Sequence, residues 1–465
     1  MNAVLKLENY SYAYPGNDDF TLKDINLEIS AGQCLCLTGD TGSGKTTLVL
    51  AIKGLLTPGN EKGEIIFSPG AYERRHIAVL LQNPETQVLM ATVGEEVAFG
   101  LHNRGVDEGL IPEKVKTALD AVGLDYPLDF STEKLSAGNK YRLILASLLA
   151  MSPELMIIDE PIAQLDQAGH EKLISIIQKL KSDGVSFFIC EHHPEYLSKI
   201  VDSYWYLSKG KIMPSEAYKK DTRFEWPQPL ENPCHSSPAI DENKIIVKAR
   251  DVSTGDNNVY IWEDASFILK KGDRCFVCGP NGEGKSVLLR CMTGFLKPVA
   301  GEMLIFGERP VPKDLRGRVG YLTQNPPKQL FETSVFEEVS FPLKRLQKER
   351  HEIRARVDEI LALCGISELA NSSPHKLSYG QKHLVALASI LAPGPELLLL
   401  DDPFAGLDRI RTESILRLLS DLSRQKKMTL VWTSHHPAAL PDIADVTLYV
   451  KGGKIVPLYT KSNIC

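Results

Sequence analysis

Gly39-Asp40-Thr41-Gly42-Ser43-Gly44-Lys45-Thr46-Thr47 follows the apolar run CLCLT and precedes LVLAIKGLL. Read outward from the glycines, this is a buried strand, a tight loop and a helix. Glycines let the backbone curl so that successive N–H groups point inward, and the helix adds its positive N-terminal end; such a loop cradles phosphate. In that setting Lys45 reaches the β and γ phosphates of a nucleotide, and the Thr46 hydroxyl sits on Mg2+. The pattern returns after RCFVC as Gly279-Pro280-Asn281-Gly282-Glu283-Gly284-Lys285-Ser286-Val287, so Lys285 and Ser286 repeat both roles.

The loop is one of five motifs that recur in the same order. LLQNPETQV (with Gln82) returns as LTQNPPKQL (with Gln324), KLSAGNKYRL as KLSYGQKHLV, LMIIDEPIAQLD as LLLLDDPFAGLD, and CEHHPEYL as TSHHPAAL. The paired lysines lie 240 residues apart, the serines 242 and the histidines 243. A near-constant offset means one domain occurring twice. We place the domains at residues 1–218 and 244–465. Residues 219–243 join them; this stretch and its approach hold Pro214, Pro227, Pro229, Pro233 and Pro238 among polar residues without helical or strand period, and read as an extended linker.

The chain has 465 residues, enough for each half to bury a full core. Hydrophobic residues make up 43% and charged residues 24%, as in an ordinary globular protein. A net charge of −6 argues against a protein whose main work is holding a nucleic-acid backbone, so no nucleic-acid partner is expected. The most apolar stretch, residues 383–400, is broken by Pro393, Gly394, Pro395 and Glu396 and reads as a helix followed by a strand, not a membrane span. MNAVLKLENYSY lacks the features of a signal peptide. Any membrane role must then come through partner proteins. Nine cysteines show no disulfide framework. Cys275 and Cys278 form a C-x-x-C, but on a strand residues three apart point to opposite faces, a poor arrangement for sharing a metal.

Within each copy, apolar strands (CLCLTG, IAVLLQ, LMIID, SFFIC) alternate with helical stretches such as EKLISIIQKLKSDG, so the expected class is α/β. LMII ends in Asp159-Glu160. A carboxylate at a strand tip beside the phosphate loop holds the metal through water, and the next one polarises the attacking water. Asp401 and Asp402 stand at the same place in the second copy.

Over essentially its whole length apart from the linker, the chain resembles ATP-binding cassette ATPases. The resemblance implies two P-loop cassettes in tandem, each with a RecA-like core, a small antiparallel β region and a helical signature subdomain. It implies ATP and Mg2+ as cofactors. LSAGN (with Ser136 and Gly138) and LSYGQ (with Ser378, Gly380 and Gln381) match the signature that grips the γ-phosphate of a nucleotide held by the other cassette. Ser136 and Gly138 would therefore complete the site built on Lys285, and Ser378 and Gly380 the site built on Lys45. Gln82 and Gln324 would touch the metal or its water and report nucleotide state. Asp166 and Asp408 end the D-loops, and His192 and His435 would be the switch histidines, in preference to the neighbouring His193 and His436. Tyr14 is near the usual place of the aromatic that stacks on adenine, with Tyr12 as its rival.

The copies depart from the family pattern unequally. The first site (Lys45, Asp159, Glu160, His192 and LSYGQ) keeps the catalytic glutamate. The second (Lys285, Asp401, Asp402, His435 and LSAGN) has an aspartate one methylene shorter, Asn139 in place of glutamine, and, by gap-free alignment, Thr254 opposite Tyr14. Misplacing an attacking water by about 1 Å lowers a rate by roughly a hundredfold, so the first site is expected to hydrolyse and the second to turn over slowly.

The segment after each Q-loop glutamine, QNP-x-x-Q-(V/L) followed by (T/S)-V-x-E-E-V-(A/S)-F, is similar to that of the ATPase subunits of energy-coupling-factor importers of vitamins and transition-metal ions. That likeness implies a peripheral motor on the cytoplasmic face of the cell membrane. Its partners would be integral membrane transport subunits received in grooves beside the Q-loops; Leu89, Met90, Leu330 and Phe331 either line those grooves or belong to the core. A fused sugar-importer ATPase and a soluble tandem cassette acting on ribosomes or DNA are the competing readings.

Overall fold

In the computed structural model the described residues are 3–17, 19–39, 42–67, 77–81, 86–162, 167–215, 244–256, 259–404, 407, 409–434 and 444–459. The chain divides into two compact units, Met1–Glu225 and Trp226–Cys465. The expected linker at 219–243 lies outside the described residues.

The first unit is built on a six-stranded sheet. Its strands are β3 (Cys34–Gly39), β5 (Ile77–Leu80), β6 (Leu155–Asp159), β7 (Ser186–Cys190), β8 (Ser203–Ser208) and β9 (Lys211–Pro214), in the order β5-β6-β7-β3-β8-β9. All pairs are parallel except β8 with β9. Strands β3, β6 and β7 are buried along their whole length, as continuous apolar runs in a parallel sheet should be. Alternation along the strands splits them between two cores. Leu35, Leu37, Leu155, Ile157 and Phe188 face helix α1 (Lys45–Lys53) and a small antiparallel sheet of β1 (Ala3–Ala13), β2 (Leu22–Ser30) and β4 (Asn60–Phe67), ordered β2-β1-β4. Cys34, Cys36, Met156, Ile158, Phe187 and Ile189 face the other way, onto α2 (Val93–Asn103), α3 (Ile111–Val122), α4 (Ala137–Ala150) and α5 (Gln167–Ser182). Each fully buried phenylalanine or isoleucine contributes about 2–3 kcal/mol in removing apolar surface from water.

The second unit repeats this plan. Strands β12 (Arg274–Cys278), β14 (Val319–Leu322), β15 (Leu397–Leu400), β16 (Thr429–Thr433), β17 (Val446–Lys451) and β18 (Lys454–Tyr459) run in the order β14-β15-β16-β12-β17-β18. β10 (Ile245–Asp256), β11 (Val259–Lys270) and β13 (Ala300–Ile305) make the antiparallel sheet, beside α6 (Lys285–Met292). On the opposite face lie α7 (Val335–Arg345), α8 (Arg350–Leu363), α9 (Tyr379–Leu391) and α10 (Arg409–Lys426). The apolar stretch at 383–400 is thus the end of α9, a turn and β15. Cys275 and Cys278 face opposite cores, as residues three apart on a strand should.

The antiparallel sheets correct the gap-free alignment. Tyr12 pairs with Leu22, and Thr254 pairs with Trp262. Ser11 accepts the N–H of Asp24, and Ser253 accepts that of Asp264. Position 12 therefore corresponds to 254, an offset of 242, while the return strands keep an offset of 240. The hairpin of the second unit is shorter by two residues. Thr254 stands where Tyr12 stands, not Tyr14, whose counterpart is Asp256.

Candidate nucleotide site

Each phosphate loop leaves its strand through a glycine that nothing else replaces. A Cβ on Gly39 (φ 154°) would lie 2.2 Å from the Leu207 carbonyl oxygen, and one on Gly279 2.0 Å from that of Val450. The helices begin behind Gly44 (φ 110°) and Gly284 (φ 92°), left-handed caps that turn the following N–H groups toward the loop. Lys45 is buried and donates to the Gly39 carbonyl at 2.7 Å; Lys285 donates to those of Gly279 and Pro280, both at 2.7 Å. Each ammonium is thus folded onto its own loop. Gly42, Ser43, Thr47, Gly282, Glu283 and Val287 lie in or directly behind these loops, while Asp40 and Thr41 lie outside the described residues. The Ser43 hydroxyl is buried and has no hydrogen-bond partner among the described residues. An orphaned donor in a curl of backbone N–H groups fits a phosphate oxygen.

Strand order brings the carboxylates here, because β6 and β15 end beside these loops. The Thr46 hydroxyl donates to Asp159 at 3.4 Å, and that of Ser286 to Asp401 at 2.9 Å. Burial, and then the charge of Glu160, push the Asp159 carboxyl up to about 6; burial also raises that of Asp401. A hydroxyl and a carboxylate are hard oxygen donors, the set Mg2+ takes.

The next residue in each unit has a left-handed backbone, φ 51° at Glu160 and 49° at Asp402. Non-glycine residues pay about 1–3 kcal/mol for sparsely populated backbone of this kind, which persists where the surroundings hold it. The Glu160 N–H donates to the Cys190 carbonyl at 2.8 Å; the Asp402 N–H instead meets the Thr433 hydroxyl at 2.8 Å. The side chains diverge further. Glu160 Oε1 lies 2.8 Å from His192 Nε2, whereas Asp402 is buried and accepts from the Ser434 hydroxyl at 3.3 Å. Of the first histidine pair, then, His192 reaches the carboxylate, and His193 turns to Glu195 at 3.1 Å.

Other expected residues fall as follows. Tyr12 is fully buried, its hydroxyl on the Thr57 carbonyl, and so belongs to the core. Tyr14 is half-buried, with its hydroxyl 3.1 Å from Thr47 Oγ1 at the start of α1, beside the loop. Ser136 and Ser378 are exposed N-caps of α4 and α9. Gln381 closes a capping box with Ser378, while Asn139 turns its amide to Tyr126 at 2.8 Å. Gly138 and Gly380 occupy the first turns of those helices, and Gln324 is exposed. Gln82, Asp166, Asp408, His435 and His436 lie outside the described residues. Leu89 and Phe331 are 63% and 57% exposed, and Met90 is half-buried. Of the two readings for Leu330 the core one holds, because the alternation that exposes Phe331 turns it inward.

Several residues were not singled out in the sequence. Glu191 is buried, accepts from the backbones of His192, His193 and Ile162, and is raised to about 7 by burial and by Glu160. Beneath it lies the buried Tyr141 hydroxyl; its counterpart in the second unit, five residues past the signature serine, is His383, 1% exposed and lowered to about 4 by burial, with Asp402 nearby. Glu96 Oε2 accepts the N–H groups of Leu89 and Met90, and Glu338 Oε2 those of Phe331 and Glu332. Gln87 and Gln329 bond back to the ends of β5 and β14. A repeated glutamate in both copies was the available signal for the second set; a carboxylate directly after the buried strand SFFIC was the signal for Glu191.

A glycine-cornered loop ahead of a helix, with strand-end carboxylates on its threonine or serine, defines a P-loop nucleotide-binding fold, here present twice. The ABC transporter family profile matches residues 22–163 and again 262–405, and the chain belongs to that family as an ABC ATPase with two cassettes in tandem. A relative from Methanosarcina mazei is 31% identical over 98% of this chain and 88% of its own length, and one from Treponema denticola is 30% identical over 97% and 96%. Both carry the provisional name of ABC transporter ATP-binding protein. The solved structure of an archaeal ribosome recycling factor, aABCE1, bound to stalk protein aP1 aligns with 98% of this chain at TM-score 0.65 and 18% identity, covering 91% of that chain; this is a likeness of fold. The structure of cbiO1 from Clostridium perfringens, described as part of the ABC transporter complex cbiONQ, is 30% identical, with TM-score 0.44, over 47% of this chain and 90% of its own. No helix among the described residues is long and apolar enough to cross a membrane.

Proposed function

We propose that this chain is the ATP-hydrolysing motor of a membrane importer of the energy-coupling-factor type, bound peripherally at the cytoplasmic face to integral membrane subunits. The observation that carries this reading is the paired QNP-x-x-Q…E-E-V segment. Midway along it in each unit an apolar side chain, Leu89 or Phe331, is exposed to solvent, with its backbone N–H held by a buried glutamate. Such a tip is suited to receive an apolar helix of a membrane partner.

The motor works as a clamp with composite sites. The loop of the first unit, with Lys45, takes ATP against Ser378 and Gly380, and the loop with Lys285 takes ATP against Ser136 and Gly138. Tyr14 stacks on the first adenine. Thr46, Asp159 and Gln82 in one site, and Ser286, Asp401 and Gln324 in the other, would hold Mg2+, which would supply positive charge to the phosphates. Glu160 accepts a proton from the attacking water while His192 holds the γ-phosphate end. Contacts that exist only with ATP bound favour the closed state, and their loss on hydrolysis releases it.

The first site carries most of the hydrolysis. Support comes from the Glu160–His192 pair, set against an Asp402 that is short, buried and hydrogen-bonded by Ser434. The test is steady-state ATP turnover of the full chain. Glu160→Gln is expected to lower kcat by about a hundredfold or more and Asp402→Asn by less than about threefold. Equal losses would remove the asymmetry. Recovery of the tagged chain with ribosomes, and without small hydrophobic membrane proteins, would remove the transport reading.

A further inference from the structure

We propose that Glu191 is a positioning residue of the first site, holding the backbone of His192 and the segment leading to the D-loop in one frame around Glu160. The inference rests on the reading of Glu160 and His192 given above and goes beyond it in naming what sets their geometry.

Glu191 follows directly on strand β7 and is 3% exposed. Its own N–H donates to the Leu37 carbonyl at 3.0 Å, on the strand that leads into the phosphate loop. Its Oε1 accepts the N–H groups of His192 and His193, at 2.8 and 3.2 Å. Its Oε2 accepts the N–H of Ile162 at 3.4 Å, two residues past Glu160. One side chain thus spans the loop that carries the switch histidine and the loop that leaves the catalytic glutamate. A buried polar side chain is retained where donors such as these satisfy it. With the frame in place, His192 Nε2 meets Glu160 Oε1 at 2.8 Å.

In the second unit a serine, Ser434, stands at this position. Ser434 makes the same backbone bond, to the Val277 carbonyl at 3.3 Å, but its hydroxyl donates to Asp402 itself. The serine therefore binds the carboxylate, where the glutamate binds the loops around it. Tolerance of serine there also makes it a substitution compatible with this fold.

The experiment measures Mg-ATP turnover by the full chain in the Asp402→Asn background, so that the rate reports the first site. Glu191→Ser and Glu191→Ala are expected to lower kcat by about tenfold, with KM for ATP held within about twofold, since the loop and Lys45 are untouched. Glu191→Gln is expected to keep kcat within about threefold, because its carbonyl oxygen still accepts both histidine N–H groups. In a His192→Ala background, Glu191→Ala should cost less than it does in the parent, since only the hold on the Ile162 segment remains to be lost. The proposal is overturned by an unchanged kcat in Glu191→Ser, by Glu191→Gln as inactive as Glu191→Ala, or by losses that multiply with His192→Ala. Glu160→Gln is the separate check: turnover surviving it removes the underlying reading of the site, whereas its inactivity leaves the Glu191 series to judge the frame alone.

Discussion

Glu160 and Asp402 end corresponding strands with nearly the same left-handed backbone, yet several of their described neighbours differ. Glu160 pairs with His192, its charge reaches the buried Glu191, and the charge of Glu191 reaches the buried Tyr141 hydroxyl. Asp402 is capped by Ser434, its N–H rests on the Thr433 hydroxyl, and His383 lies below. The first arrangement pairs a mostly buried carboxylate with an imidazole. The second draws a shorter carboxylate into the protein. The difference between the two units is therefore spread over at least three positions on separate segments, and restoring one methylene is expected not to reproduce the first site.

The largest effect expected from probing this contrast is on stability. Burial lowers His383 to about 4, while in the unfolded chain it titrates near the ordinary 6.5. The folded state thus refuses a proton that the unfolded state takes: the penalty is absent above about 6.5, grows as pH falls, and is complete below about 4. Between pH 7 and pH 5 this removes on the order of 2 kcal/mol. Calorimetric unfolding of His383→Leu, followed in the transition of the second unit, should show less acid sensitivity than the parent. An identical loss would mean that the imidazole is not the acid-sensitive group.

Next in size is a gain. In a Glu160→Gln background, Asp402→Glu should raise the residual ATP turnover by about tenfold, because the longer side chain clears Ser434. A gain to the parent rate would show that the methylene alone sets the contrast and that the surrounding layers are idle.

The smallest expected effect is at the signature helices. Gln381 closes a capping box that Asn139 does not make. Gln381→Asn should destabilise the second unit by about 0.5–1 kcal/mol, and Asn139→Gln should stabilise the first by no more than that. Thermal unfolding checks both, and opposite signs would break the parallel drawn between the two caps.

Much of this architecture is legible in the chain because its determinants are local. A glycine loop between a strand and a helix, a strand ending in two acids, and a serine followed by a helix each occupy fewer than about ten residues, and duplication doubles every signal. What escaped depends on which segments meet. The hydrogen bonds of Glu191 to Ile162 and of Glu96 to Leu89 join residues whose pairing no periodicity reveals. The alignment of Thr254 with Tyr14 failed for a related reason: a hairpin shorter by two residues shifts one strand against the other, and register is fixed by cross-strand pairing rather than by counting from the loop. Leu330 was ambiguous between groove and core, since neighbouring apolar residues on an extended segment face opposite ways.

The anchored tips at Leu89 and Phe331 carry a mechanical consequence. A surface loop that yields under load dissipates displacement in its own backbone. Here the amides of the tip are pinned by Glu96 and Glu338, both rooted in helices that open the helical layer of their units. A push on either apolar tip therefore reaches the helix behind it with little slack, which makes the segment a stiff lever arm instead of a cushion.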